Sequence, residues 1–378
     1  MEPLTDPAEA HGSTPAASQR FSHQQFSHQR FSHHGQGGEL FAITLFNLVL
    51  KVLTLGLYHF WGKTRVRAYV WSHTHFAGEP FEYTGRGIEL FIGYMLASVV
   101  LAPVVTGFQF LPLLIGNIPL VMGALMLGAY LVLFFLMGFA TYASRRYLLS
   151  HTRWRSIRFG LSGSALRYGL RMLNYSFLTA ITLGFYFPFL RNNLTGMLLG
   201  DMWFGDRRVH YDGRGKDLLR RFLGLWVIYL LLIATLAAGW VGLGIIAMTP
   251  LDIDGIPLHP LLWLGTGLLA ALGATAGWMW YRVGEYRYFV AHTRIDEVRF
   301  RLTASTARLI WLSLSNLILM GATLGMAYAW VVVRTARLIA RHMTLTGTLE
   351  LDTIAQHPEG IPALGEGLAE TFDLGSGI

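Results

Sequence analysis

Six aromatic, cationic and histidine residues are spaced so that they could contact an anion. They recur every four residues within two segments, and this spacing places side chains on one face of a helix. Such a stripe fits an anionic headgroup or solute. It also fits an interfacial belt in which Trp and Tyr lie at headgroup depth and Arg reaches lipid phosphates. The residues are Trp61, Arg65, Tyr69 and His73 in one segment and Trp330 and Arg334 in the other.

A second set of polar residues lies inside apolar segments. Three asparagines each precede a Thr-Leu-Gly tripeptide by seven or eight residues, and one lysine lies in the first of these segments. An unpaired amide in apolar surroundings is costly, so each Asn should bond across helices or face a wet cavity. Convergence of the repeats would give a polar ring of the kind that interrupted helices form in transporters. The residues of this predicted cluster are Asn47, Lys51, Thr54, Asn174, Thr182, Asn316 and Thr323.

Histidines recur beside threonine at three predicted helix ends, at His73, His151 and His292. Three imidazoles can ligate zinc, but these lie in separate units without the HExxH spacing, so we interpret them as caps for helix carbonyls. A Phe-Ser-His repeat near the start fits either metal binding or tandem duplication of one strand end. Its histidines are His23, His28, His33 and His34. We expect no metal and no cofactor.

The composition indicates a membrane protein. Of 378 residues, 53% are hydrophobic and 14% are charged, with a net charge of +8 and a mean hydropathy of +0.43. Soluble domains carry roughly a quarter charged residues, so this composition excludes an ordinary soluble domain. The lack of cysteine excludes disulfides, thiolate nucleophiles and Cys-ligated metals. No nucleophile with an adjacent base is visible, so we expect neither enzyme activity nor a nucleic-acid partner.

Four apolar stretches are long enough to cross a hydrocarbon core of about 30 Å at about 1.5 Å per residue. They cover residues 88–115, 118–143, 222–249 and 258–281. Three further apolar stretches contain the Thr-Leu-Gly tripeptides and cover residues 40–62, 172–190 and 309–333.

The positions of the 30 Lys and Arg residues decide between seven spans and four. If all seven stretches crossed, 14 of the 30 would lie outside, whereas with four spans 29 are cytoplasmic. The positive-inside rule favours four spans, with each Thr-Leu-Gly segment a hairpin that dips in and returns to the same side. Both termini are then cytoplasmic. Re-entrant backbone needs protein cover, so the hairpins should pack on the spans.

Two more repeats accompany the Thr-Leu-Gly element. One reads Tyr, three residues, His-Thr, and the other is a Gly-x-Gly-x-acid-Leu start to an apolar run, as at Glu39, Glu89 and Asp217. Short segments of alternating polar and apolar residues between the hairpins predict a small cytoplasmic β layer. The predicted fold is therefore an α-helical polytopic membrane protein of repeated helical hairpins. Its domain occupies residues 31–350, between a disordered His/Gln-rich tail (1–30) and an acidic disordered tail (351–378).

The sequence resembles the YjgN-like family of bacterial inner-membrane proteins, which is built around a domain of unknown function. The matching text is Gly-x-Gly-x-Glu-Leu-Phe at 35–41, Thr-Leu-Gly-Leu-Tyr-His-Phe-Trp-Gly-Lys-Thr-Arg-Val-Arg at 54–67, and Phe-Glu-Tyr-Thr-Gly-Arg-Gly-Ile-Glu-Leu-Phe at 81–91. The second Thr-Leu-Gly copy departs from the pattern, with Phe189 and Asn193 at the Trp and Arg positions. The resemblance implies an inner-membrane location and architecture, and no reaction.

Two functions fit these features. The repeats, Lys51 and the three asparagines favour a transporter or channel-like protein for a small solute or lipid. The basic cytoplasmic side favours a scaffold that binds partners or anionic lipid headgroups, because each Lys or Arg near such a surface contributes about 1 kcal/mol. A wet cavity that reaches Lys51 and the asparagines would favour transport, and a dry bundle would favour a scaffold.

Overall fold

Ten helices form five consecutive hairpins in a computed structural model that describes residues 25–115, 118–246, 252–253, 256–348 and 354. Three hairpins are short and two are long. The short ones are α1 (Gly37–Leu53) with α2 (His59–Ser72), α5 (Ala165–Ile181) with α6 (Phe187–Gly200), and α9 (Thr306–Ala322) with α10 (Tyr328–His342). The long ones are α3 (Gly87–Ile115) with α4 (Pro119–Ser150), and α7 (Gly215–Ile246) with α8 (Leu258–Ala291).

The four long helices meet the length and hydropathy needed to cross a membrane, as the sequence predicted. The spans within them are Gly87–Gly107, Pro119–Ser150, Gly215–Gly242 and Leu262–Ala291. Each helix packs on the next in chain order, and α10 packs back on α1, so the five hairpins form a closed ring.

The Thr-Leu-Gly tripeptides form the turns of the three short hairpins. Leu55 has φ 51° and Gly56 has φ 96°, and the same left-handed pair recurs at the other two turns. The Gly56 amide donates to the carbonyl of Lys51 at 2.7 Å, which closes the end of α1 in the manner of a Schellman motif. Glycine adopts this conformation without steric cost, which explains why the tripeptide recurs wherever a short hairpin turns.

A closed barrel of ten short antiparallel strands lies at one end of the helix ring. Its strands in barrel order are β1 (Gln25–His33), β12 (Met343–Thr348), β11 (Val298–Leu302), β10 (Thr293–Ile295), β7 (Arg207–Tyr211), β6 (Met202–Phe204), β5 (Ile157–Leu161), β4 (Thr152–Trp154), β3 (Glu79–Tyr83) and β2 (Thr74–Phe76). A β-hairpin follows each of the first four helical hairpins. The fifth strand pair joins β12 to β1, so the two ends of the chain close the barrel.

Aromatic and aliphatic side chains fill the barrel. Phe76, Trp154 and Phe204 occupy the same register position on β2, β4 and β6, and each is at most 6% exposed. Val298 and Leu345 complete this core together with partly buried phenylalanines of the neighbouring strands. The alternation of inward and outward residues that predicted strands therefore reflects a barrel with a packed interior.

The strands differ from the sequence prediction in two respects. The sequence predicted a small β layer without its topology, and the strands close into a barrel because the strand that completes the fifth pair comes from the opposite end of the chain. Strand β1 begins at Gln25, so residues 25–30 belong to the barrel and not to a disordered tail. Ile354, assigned to the acidic tail, is buried in the barrel core. His23 lies outside the described residues.

Replacing Trp154 by Ala should destabilise the barrel strongly. The residue is 3% exposed, and its indole nitrogen donates to the Phe76 carbonyl at 3.3 Å. Its removal leaves a cavity and should lower the free energy of unfolding by about 3–5 kcal/mol, measured by denaturant unfolding in mild detergent. Trp311→Ala is the matched control, because Trp311 is 63% exposed. Equal destabilisation by both substitutions would contradict the barrel core.

Candidate functional site

A backbone hydrogen bond closes the base of every helical hairpin. The amide just before the first helix donates to the carbonyl just after the second, as from His34 to His73 at 2.9 Å. The equivalent pairs are Thr84 to His151, Ser162 to Asp201, Asp212 to His292 and Thr303 to His342. The five hairpins therefore meet the barrel in the same way.

Three of these bases carry a junction cluster of an acid, a tyrosine and a histidine. In the first, the Tyr69 hydroxyl donates to Glu39 at 2.8 Å and accepts from the Gln36 amide at 2.8 Å. The His73 ring lies 4.1 Å from the Tyr69 ring, and its Nδ1 lies 2.8 Å from the Tyr69 carbonyl. The other clusters are Glu89 with Tyr147 and His151, and Asp217 with Tyr288 and His292. The histidine capping that the sequence predicted is confirmed at all three.

The two remaining bases show what the junction clusters do. There the acid position is occupied by Arg167 or Arg308, and a preceding serine caps the helix by accepting from the arginine amide at 3.3 Å. One polar group still satisfies the start of each helix, as the free amides of a helix N-terminus require. The junction clusters therefore hold the start of the first helix against the end of the second helix at the hairpin base.

The second glycine of each Gly-x-Gly motif receives an aromatic side chain from a neighbouring short hairpin. A Cβ on Gly87 would lie 2.8 Å from the Trp61 side chain, and Gly37 faces Trp330 in the same way. Phe189, at the equivalent position of the second copy, faces Gly215. Trp61 and Trp330 therefore pack on a glycine of a neighbouring hairpin, and their contact with an anion or lipid headgroup stays a prediction.

The residues of the predicted stripe on α2 therefore make different kinds of contact. Tyr69 and His73 belong to a junction cluster, and Trp61 packs on Gly87. Arg65 is exposed, with its guanidinium 5.5 Å from the Phe46 ring and 5.7 Å from the Tyr58 ring. Arg334 is also exposed. An anion or lipid contact by the two arginines stays a prediction.

The predicted polar ring of asparagines does not form. Asn47 is buried and donates to the Gly62 carbonyl at 3.2 Å, whereas Asn316 donates to the Thr335 hydroxyl at 3.1 Å. Both bonds join the two helices of one hairpin, as the interhelical alternative predicted. Asn174 and Lys51 are exposed. The ring fails because each asparagine faces its own hairpin partner or the outside.

The three threonines of the Thr-Leu-Gly tripeptides are also occupied locally. The Thr54 hydroxyl donates to the Leu50 carbonyl at 2.7 Å and accepts from the Tyr58 amide at 2.9 Å, so it links the two helices across the turn. Thr182 and Thr323 repeat both bonds. These residues shape the hairpin tip.

A buried ion pair was missed by the sequence reasoning. Glu285 of α8 is fully buried, and its carboxylate accepts from Arg191 of α6 at 2.9 Å and from Arg282 of its own helix. Removing one partner of such a pair costs about 3–5 kcal/mol, because the remaining charge stays buried. The pair thus couples the second short hairpin to the second long one. A single acid late in an apolar helix was the available signal.

A cavity of about 400 Å³ lies where the helix ring meets the barrel, and we term it the junction cavity. Its floor is formed by barrel phenylalanines, with Phe81 6.1 Å from Phe31 and 6.4 Å from Phe159 between ring centroids. Its walls come from α2, α4 and α10. The main apolar wall residues are Val70, Trp71, Leu148, Leu149, Val332 and Ile339.

The polar groups that line the junction cavity are threonine hydroxyls with protein partners. Thr74 donates to Val70, and Thr152 donates to Leu148, both at 2.7 Å. Thr335 accepts from Asn316, as described above. No lining hydroxyl is therefore left without a partner, and an occupant of this cavity gains mainly from apolar contact.

His33 lies at the edge of the barrel between several cationic groups. It is 6% exposed, its Nδ1 lies 3.0 Å from the Thr74 hydroxyl, and its Nε2 has no hydrogen-bond partner among the described residues. Burial is the largest cause that lowers the pKa of His33, and charge on His73, Arg337, His34 and His75 adds to it, so that the pKa is about 4. The imidazole is neutral in the folded protein at neutral pH.

The closed helix ring, the barrel and the repeated hairpin bases define a class of protein with four helices able to span a membrane. Residues 28–371 match the family described as "Bacterial protein of unknown function (DUF898)", and the chain belongs to that family. It is also similar to the inner membrane protein YjgN of Salmonella typhimurium, with 35% identity over 66 residues. That alignment covers 18% of this chain and 17% of the relative. No solved structure matches.

Stability should depend on pH through His33. The pKa of His33 is about 4 in the folded protein and 6.5 for the ordinary side chain, so the unfolded chain binds the proton first as the pH falls. The free energy of unfolding should therefore decline between about pH 6.5 and pH 4 and lose this dependence in His33→Gln. The measurement is denaturant unfolding in detergent across this range. His210→Gln, at an exposed position of β7, should keep the decline. An unchanged profile for His33→Gln would contradict the assignment.

Proposed function

We propose that this protein is a multi-pass inner-membrane protein that binds a membrane lipid in the junction cavity and moves lipid, and that it acts without catalysing a reaction. The inner-membrane location rests on the four apolar helices and on the name of the similar Salmonella protein. The lipid assignment rests on the junction cavity.

The apolar lining of the junction cavity carries this proposal. Its volume of about 400 Å³ falls within the usual range for ligand pockets, and its walls and floor are aliphatic and aromatic side chains. A hydrophilic solute would lose its water there without gaining hydrogen bonds, because the threonine hydroxyls are already engaged. An acyl chain has no hydrogen bonds to water to lose, and it gains apolar contact in the cavity.

An aqueous channel for a small solute is less well supported. Phe76, Trp154 and Phe204 fill the barrel, so the described part of the barrel provides no open axial path. Lys51 and Asn174 are exposed and do not line the junction cavity. Of the two kinds of cargo that the sequence allowed, the geometry supports lipid better.

We also propose that the three short hairpins enter the membrane from the barrel side and return to it. Their tips present leucines that are almost fully exposed: Leu55 by 95%, Leu183 by 80% and Leu324 by 94%. Water would disfavour such apolar tips, whereas a hydrocarbon core would accommodate them. The spans on either side, such as α3 beside α2, supply the protein cover that these hairpins need.

Cysteine accessibility tests this topology, because the chain contains no cysteine of its own. Arg86→Cys and Arg171→Cys should react with a membrane-impermeant maleimide only after spheroplasts are lysed, since four spans place both positions in the cytoplasm. Asp252→Cys, in β8 (Asp252–Ile253) between α7 and α8, should react in intact spheroplasts. Labelling of position 86 or 171 in intact spheroplasts would overturn the hairpin topology.

A bulky side chain in the junction cavity should displace the lipid. Ala336 of α10 lines the cavity, so Ala336→Trp should fill it and remove lipid that copurifies with the protein, measured by native mass spectrometry from detergent. The same variant should slow movement of fluorescent lipid between leaflets of proteoliposomes.

The matched control is Ala68→Trp, which places the same side chain on an exposed position of α2. It should keep both lipid occupancy and lipid movement at the wild-type level. The proposal is wrong if the wild-type protein carries no lipid, or if Ala336→Trp and Ala68→Trp have equal occupancy.

A scaffold that binds an anionic partner is the second candidate, and one feature of the barrel favours it. Arg294 pairs across the sheet with Arg299, and its other cross-strand neighbour is His210. Like charges directly opposite each other destabilise a sheet, so such a row is unfavourable unless an anion neutralises it. Crosslinking that recovers no stable partner would count against a scaffold.

A further inference from the structure

A second cavity concentrates positive charge where α7 and α8 reach the barrel. One arginine comes from each of three elements, Arg221 from α7, Arg287 from α8 and Arg301 from β11, around a volume of about 480 Å³. Tyr288 and His292 of the third junction cluster also line it. We term this space the basic cavity.

Carboxylates do not neutralise the basic cavity within the described part of the chain. The described ion pairs involve other arginines, and the Arg287 guanidinium donates to the neutral Thr306 hydroxyl at 3.1 Å. Asp217, one turn before Arg221, accepts from the Tyr288 hydroxyl at 2.8 Å. Three guanidinium groups therefore line one space, and none of them forms an ion pair with a described carboxylate.

The absence of a side chain at one position of α8 leaves space for the Arg221 guanidinium. Gly284 lies under the Arg221 guanidinium, and a Cβ there would collide with Nη1 of Arg221. A side chain at position 284 would therefore require the Arg221 guanidinium to move.

The other hairpin bases show that the fold does not require these arginines. Aligning the repeats on the junction clusters places Ile43, Ala68 and Glu82 at the three positions in the first hairpin. The second hairpin has Gly93, Arg146 and Gly160 there. The first and second hairpins keep their junction clusters without three arginines at these positions. The architecture therefore does not require the three arginines of the fourth hairpin.

We propose that the basic cavity binds a phosphate group. Guanidinium groups match the planar, two-point geometry of phosphate oxygens, and the three arginines of this cavity come from three different elements. The cavity lies at the barrel end of two predicted spans and opens to solvent, so a lipid headgroup and a dissolved phosphate ester are both candidate sources of the phosphate. The phosphate thus belongs to a phospholipid headgroup or to a free phosphate ester. It shares no lining residue with the junction cavity, so this site does not depend on the proposed function.

Calorimetric titration tests the site on the full-length protein in nanodiscs. Inorganic phosphate is the first probe, in discs of phosphatidylcholine alone. Arg287→Gln and Arg301→Gln should each weaken phosphate binding by about 10- to 100-fold, the ratio expected for one lost charge-assisted hydrogen bond. Arg301→Lys should retain an intermediate affinity, because it keeps the charge and loses the two-point geometry.

Arg220→Gln is the matched control, since Arg220 is exposed on α7 beside Arg221 and does not line the basic cavity. It should bind phosphate as the wild-type protein does. Discs containing phosphatidic acid separate the two sources: loss of the phosphate signal there indicates a lipid headgroup, and an unchanged signal indicates a free phosphate ester. Absence of phosphate binding by the wild-type protein in phosphatidylcholine discs overturns the proposal, as does equal weakening by Arg220→Gln and Arg301→Gln.

Discussion

The structure depends on the pairing of its first and last strands. Strands of three to nine residues have little stability alone, and an open sheet of them would leave unpaired edges. Pairing of β1 with β12 removes both edges and simultaneously brings α10 against α1. One set of backbone hydrogen bonds therefore closes the barrel and the helix ring together. Each hairpin base is then held between two neighbours.

Within this closed frame, the repeats divide into architectural and specific features. The backbone bond from the residue before the first helix to the residue after the second occurs in all five hairpins. The junction clusters occur in three, and serine caps serve the other two. Features that occur once, such as the buried Glu285 pair and the three arginines of the basic cavity, are not needed to build a hairpin. A repeat protein reveals its specific sites by where the repeats differ.

Two kinds of surface come together at the level where helices meet strands. The junction cavity is apolar and lies between α2, α4, α10 and the barrel, whereas the basic cavity is cationic and lies between α7, α8 and β11. A membrane lipid combines an apolar chain with an anionic headgroup, so both surfaces suit molecules of the surrounding bilayer. The barrel fixes the level of both cavities, because the second helix of each hairpin is followed directly by a barrel strand.

The sequence by itself determined the helices, the turns and the repeat boundaries. Hydrophobic length identified the four long helices, and Thr-Leu-Gly marked the three short turns because a left-handed turn needs glycine. These signals are local, so they can be read without neighbours. The histidine caps were found for the same reason, since the cap and its carbonyl are four residues apart.

Only the tertiary structure determined the barrel, the two cavities and the partners of the polar residues. Trp61 packs on Gly87 of the next hairpin, and no local pattern around Trp61 predicts that contact. Asn47 found its partner at Gly62 within its own hairpin, so no shared ring arose. The basic cavity joins residues up to 80 positions apart, from Arg221 to Arg301. Such contacts depend on which hairpin bases become neighbours when the ring closes, and no local pattern contains that information.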